Sequence, residues 1–146
     1  MDRFSIDDLL TGYANALDDR DWEVLAALFT DDATFDFTAA YGIAAPKTEF
    51  IAWMAGQVTL DFAPHVQHHL TNRLWHVAGD VAEGRADFFN PDVLNDGEGG
   101  LFVLMNGGRY SFTARRTDAG WRLTRLAGTV TWSHRGELIV FELPAT

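Results

Sequence analysis

The chain contains no cysteine. That excludes disulfides and thiolate metal sites, and it fits a reducing compartment. Basic residues are scarce: 11 Lys and Arg stand against 21 Asp and Glu, a formal net charge of -10. A surface of that sign repels phosphate backbones and anionic headgroups, so no nucleic acid and no membrane is expected as a partner. No apolar run approaches the roughly 20 residues a membrane-spanning helix needs. The opening MDRFSIDD has no basic leader followed by an apolar stretch. A cytoplasmic protein without a secretory signal is the expectation. Internal repeats and low-complexity segments are absent as well.

What remains is a chain of 146 residues, 47% hydrophobic and 22% charged. That composition and length suit one globular domain over residues 1–146. Ser5 reads as a helix N-cap with Asp8 as its capping-box partner, and Phe4 and Leu9 as a hydrophobic staple. Ile6, Leu9, Leu10, Tyr13 and Leu17 recur at helical spacing, and Asp18 falls just past the stripe, where the helix dipole disfavours an acid. Asp21 caps a second helix carrying Trp22, Leu25, Leu28 and Phe29. The period then changes to two, and Ala33, Phe35 and Phe37 mark a strand. Residues Ala39–Pro46 read as a loop, and Thr48–Gln57 as a third helix with Phe50, Ile51 and Met54 inward. Four strands follow: His68–Val77, Val81–Phe89, Leu101–Arg116 and Trp121–His134. The segment Asn90–Gly100, rich in Gly, Asn and Asp, reads as a flexible lip, and Glu137–Phe141 as a further short strand or edge cover. Three helices before an antiparallel meander predict an α+β fold with helices on one sheet face.

His65, His68 and His69 are bunched, but a strand sends His68 and His69 to opposite faces and no metal-binding signature surrounds them. Neither a metal nor any other cofactor is expected. A buried aspartate that orients a histidine makes a general base, fixing the ring tautomer and favouring the protonated form. Tyr13, Tyr41, Asn72, Asn106, Arg109 and Tyr110 are the other polar candidates. Core packing is the plainer role for Tyr13, and a solvated edge for Arg109. Without a bulge, His68 shares its face with Leu70, Asn72 and Leu74. Gly107–Gly108 predicts a bulge or bend in a long strand. Trp53, Trp75, Trp121 and Trp132, with the phenylalanines, supply surface for a core or for a cavity taking a small hydrophobic or aromatic molecule.

Three runs resemble a known family: YANALDDRDWEVLAALFTDDATFDF (Tyr13 to Phe37), HHLTNRLWHVAGDVAEGRADF (His68 to Phe88) and GGRYSFTARRTDAGWRLTRL (Gly107 to Leu126). They are similar, in this order, to the SnoaL-like branch of the nuclear transport factor 2-like superfamily, near scytalone dehydratase and lindane dehydrochlorinase. The resemblance implies a cone-shaped fold with three N-terminal helices packed on a strongly curved antiparallel sheet. It implies a catalytic pair of Asp18 with His68, and selects His68 over His69. It also implies a homodimer or homotrimer, joined through the helix-free sheet face. Leu17 and Phe37 stand where scytalone dehydratase has tyrosines, and Leu126 where the dehydrochlorinase has an arginine. Tyr13, Tyr41, Asn72, Tyr110, Leu126 and Trp132 are the expected substrate contacts. The function implied is a cofactor-free lyase or isomerase, dehydratase-like, that abstracts a carbon-bound proton from a hydrophobic cyclic substrate. A polyketide cyclase and a non-catalytic ligand-binding or scaffold subunit are the alternatives on this fold.

Overall fold

A computed structural model describes residues 2–137. The first helix, α1 (Asp2–Asp18), buries the whole predicted stripe: Ile6, Leu9, Leu10, Tyr13 and Leu17 are all in the core. Full burial of each aliphatic side chain is worth about 1.5–3 kcal/mol. The helix begins at Asp2, so Ser5 lies inside it and is not its cap. Its C-terminus is a Schellman motif: Asp21 N–H reaches Ala16 O at 2.8 Å and Arg20 N–H reaches Leu17 O at 3.1 Å. Arg20 holds the left-handed position, φ 56°, that usually falls to glycine. Helix α2 (Trp22–Ala27) is capped by Asp21, whose carboxylate accepts from Val24 N–H at 3.0 Å.

Strand β1 (Phe29–Phe37) buries Phe29, Ala33, Phe35 and Phe37. The expected loop after it holds a short helix, α3 (Thr38–Tyr41), and a short strand, β2 (Ile43–Pro46). Its alanines, glycine and proline have weak strand propensity, and pairing with β1 imposes the strand. Helix α4 (Lys47–Gln57) packs Phe50 into the core. The meander follows as β3 (His69–Ala78), β4 (Val81–Asn95), β5 (Leu101–Thr117) and β6 (Gly120–Glu137). Most of the expected lip continues β4, leaving a tight turn around Asp96, which accepts from Glu98 N–H and Gly100 N–H. Of the short strand expected at Glu137–Phe141, residues 138–141 lie outside the described residues.

The cone expectation is corrected. The sheet is mixed, in the order β2-β1-β6-β5-β4-β3, and is neither strongly curved nor closed. Strand β1 returns parallel to β6, while β3 to β6 are antiparallel, and β2 and β3 are the two edges among the described residues. Four helices, not three, accompany it among the described residues. Register shifts occur at Thr71/Leu74, Gly107/Gly108 and Thr113/Ala114. The second matches the bend read from Gly107–Gly108, where a Cβ on Gly107 would come within 2.2 Å of the Trp132 indole.

The first shift reorders a face. Three steps along β3, Thr71 to Leu74, oppose two along β4, Asp87 to Arg85, so one residue is extra. Asn72 takes up the bulge at φ 51°, a conformation asparagine tolerates. Beyond it, Arg73 and Trp75 turn back to α1, and Trp75 Nε1 donates to Asp7 Oδ1 at 3.0 Å.

Candidate active site

Asp18 ends α1, and His68 sits one residue before β3. The carboxylate accepts the His68 backbone N–H on both oxygens, at 3.1 Å each, and lies 2.7 Å from the ring Nδ1. Its unfavourable place at a helix C-terminus is thus offset by a long-range partner rather than a local one. The side chains are 14% exposed for His68 and 27% for Asp18. One carboxylate therefore holds both the backbone and the ring of the same residue. With the Nδ1 proton given to Asp18, the lone pair resides on Nε2.

His68 lines a cavity of about 220 Å³ between the inner sheet face and the segment running from α4 to β3. Phe37, Tyr41, Trp53 and Met54 form an aromatic and apolar wall, with Phe37 and Tyr41 stacked at 6.0 Å. Tyr13 and Tyr110 form another wall, edge to face at 5.9 Å, and Tyr13 meets the His68 ring at 6.4 Å. The Tyr13 hydroxyl and the Asn90 side chain face the Tyr110 oxygen and temper the rise of its pKa. Burial raises both phenols above their ordinary pKa, so they stay neutral donors. A neutral phenol has its own O–H to give.

The remaining polar groups come from the sheet floor. Phe88, Asn90, Asp92 and Leu94 alternate inward along β4, and Asn106 lies directly opposite Asn90 on β5. Ser133 donates to Asn106 Oδ1 at 2.6 Å. Asp92 has its pKa raised, chiefly by burial and less by Asp18, while His68 and the Gln67 N–H act in the opposite direction. Arg20 closes one side: its guanidinium donates to Val58 O at 3.0 Å and to Ala63 O. That ties the cavity wall to the end of α1.

Of the residues expected from the sequence, Asp18 and His68 meet, and Tyr13, Tyr41 and Tyr110 line the cavity with His68. Three others lie elsewhere. Asn72 is turned to the outer face by its bulge and donates to Asp87 Oδ2 at 2.9 Å. Asn72 first, then Arg109, holds the Asp87 carboxyl below its ordinary range. Leu126 is fully buried in the core, opposite Phe35 on β1 and Phe112 on β5. Trp132 lies in a separate open groove on the outer face with Asp87, Arg109 and Thr129. The sequence reading missed Asn90, Asp92 and Arg20. The first two carry a period-two signal, but Pro91 and the Asn95–Asp96–Gly97 turn residues masked it. His69 stacks on Phe89 at 6.2 Å, away from His68. Among the described residues no group of three or more His, Asp or Glu side chains is placed to hold a metal. Among them, too, no helix is long and apolar enough to cross a membrane.

Known proteins share this arrangement of elements. The model of the SnoaL-like domain matches residues 1–127. An uncharacterized protein of Mycobacterium tuberculosis (strain H37Rv) is 36% identical over 128 residues, covering 88% of this chain and 84% of the relative. A crystal structure from Novosphingobium aromaticivorans, provisionally assigned as an aromatic ring hydroxylase, is 31% identical with TM-score 0.78, covering 92% of each chain. The hexachlorocyclohexane dehydrochlorinase LinA type 3 of Novosphingobium barchaimii superposes with TM-score 0.80 over 97% of this chain and 94% of its own. At 22% identity that likeness speaks for the fold alone. With the family model spanning both the helix that ends in Asp18 and the strands that carry the cavity floor, the chain belongs to the SnoaL-like family of the nuclear transport factor 2-like superfamily.

Proposed function

We propose that this chain is a cofactor-free lyase or isomerase in which His68, held by Asp18, removes a carbon-bound proton from a small hydrophobic cyclic substrate. The observation that carries the reading is the 2.7 Å contact between Asp18 Oδ1 and His68 Nδ1 at the edge of a cavity His68 itself lines. Nε2 takes the proton. The electron pair of the broken C–H bond moves into an adjacent carbonyl to give an enolate, or expels a leaving group from the neighbouring carbon. Asp18 stabilises the imidazolium so formed. Tyr110 replaces the missing electrophiles: its O–H, polarised by Tyr13 and Asn90, donates to the developing oxyanion. The volume of about 220 Å³ lies below the ~300–1,000 Å³ of drug-sized pockets, so the substrate is a compact ring system.

The outer face supports a homo-oligomeric reading. Phe89 and Trp132 are exposed there with ring centroids 5.9 Å apart, beside the open groove.

The test is exchange of solvent deuterium into the acidic carbon of 2-tetralone, a compact cyclic ketone, followed by NMR. The protein should accelerate exchange, and His68→Ala should abolish the acceleration. Tight binding of 2-tetralone without any acceleration would refute proton abstraction and favour a ligand-binding subunit.

A further inference from the structure

The cavity described above is not uniformly apolar. Asn90 Oδ1 and Asp92 Oδ1 are both buried side-chain acceptors with no hydrogen-bond partner among the described residues. Both residues line the cavity, two positions apart on β4, so their side chains leave the same face of the sheet. The Asn90 side chain faces the Tyr110 phenol, and a carboxylate has no donor. The Gln67 N–H satisfies part of the Asp92 carboxyl and leaves Oδ1 unpaired. A buried acceptor without a partner costs on the order of the desolvation of that group, so two together are a strong bias toward an occupant that brings donors.

The cavity lining is thus of two kinds. Phe37, Trp53 and Met54 offer apolar surface, and Asn90 Oδ1 and Asp92 Oδ1 offer unpaired acceptors. Asp92 is also within electrostatic reach of His68, Tyr41 and Tyr110, so a ligand group seated on it lies in the same chamber as the base.

We infer that the natural ligand is a ring compound bearing a hydrogen-bond donor, a hydroxyl group above all, which donates to Asp92 Oδ1 beside Asn90 Oδ1 while the ring lies against the aromatic wall. This rests on the cavity being the substrate site, and it names the substrate class: hydroxylated rings rather than bare or halogenated hydrocarbons. Asp92 thereby decides specificity by rejecting compounds that would leave its oxygen unpaired. The asymmetry is large because a polar site discriminates far more strongly against a missing donor than an apolar site does against an extra group.

The experiment compares three matched probes by isothermal titration: naphthalene, 2-naphthol and 2-methoxynaphthalene. They share the ring system, and only 2-naphthol can donate. For the native protein, 2-naphthol should bind at least about ten-fold more tightly than either of the others. In Asp92→Asn the amide oxygen can keep the Gln67 contact while its NH₂ faces the cavity. The preference for 2-naphthol over its methyl ether should then shrink to a few-fold or reverse. Equal affinity for all three probes on the native protein would overturn the inference while leaving the cavity as a binding site. An unchanged preference in a folded Asp92→Asn protein would remove Asp92 from it. Failure of all three to bind would instead sink the reading of the cavity as the substrate site. The native series decides the matter even if the variant does not fold.

Discussion

Arg20 is the residue whose replacement tests the most structure at once. It adopts φ 56°, where a non-glycine residue is strained by about 1–2 kcal/mol. In return its guanidinium donates to the carbonyls of Val58 and Ala63, across 38 and 43 residues of sequence. Hydrogen bonds to a charged donor are worth about 1.5–3 kcal/mol each. The low end applies because the group is only half-buried, so the two together contribute about 3 kcal/mol. Arg20→Ala keeps the strain and loses both bonds, and should cost about 3 kcal/mol. Arg20→Gly loses the bonds but relieves the strain, and should cost only about 1–2 kcal/mol. Urea unfolding gives both differences from the midpoints. Hydrogen exchange at Ala63 N–H, bonded at 2.8 Å to Thr59 O, should quicken in both variants as the wall loosens. A glycine variant at least as stable as the native protein would show that the two bonds contribute no more than the strain glycine relieves. Equal stability for glycine and alanine would show that Arg20 is not strained.

The raised pKa of Asp92 has a pH signature. Because the folded value lies above 3.8, the folded state binds more protons than the unfolded one in the window just above that value, and stability falls as pH rises through it. Asp92→Asn removes that loss, so its melting temperature relative to the native protein should climb between about pH 4 and neutrality; a constant difference would refute it. Asn72→Gly should leave stability within about 0.5 kcal/mol, because glycine takes the bulge conformation freely, whereas Asn72→Ala should cost about 1–2 kcal/mol, both read by thermal unfolding. Light scattering at tens of micromolar should give a dimer or trimer mass, and Trp132→Glu should shift it toward the monomer. A monomer mass for the native protein would contradict the oligomeric reading.

The local pattern was legible in the sequence wherever one signal dominated. The α1 stripe, the Asp21 cap and the meander from β3 to β6 follow from periodicity and turn residues. What escaped had competing or distant causes. The cone was implied by the family resemblance, and helices followed by a meander do not reveal that β1 pairs parallel with β6, some ninety residues later. Asn72 was placed beside His68 by counting in twos, and a single extra residue at the bulge turned it outward. Leu126 was carried over by position, but at that position the chain packs core rather than cavity. Asn90 and Asp92 lay in a segment whose Pro and Asn-Asp-Gly residues read as loop, although β4 runs through it. Asp18 was conspicuous because it broke a local rule, and its partner proved to be fifty residues away.

The most direct test of the central claim is a double-mutant cycle on the 2-tetralone exchange rate. Asp18→Asn keeps the side chain's shape but removes its charge and returns the wrong hydrogen bond to His68 Nδ1. The account predicts that this variant loses about 10²–10⁴ of the acceleration. It further predicts that Asp18→Asn combined with His68→Ala is no slower than His68→Ala alone, because the two residues act as one base. Exchange at the native rate in Asp18→Asn, or losses that simply multiply in the double variant, would contradict it.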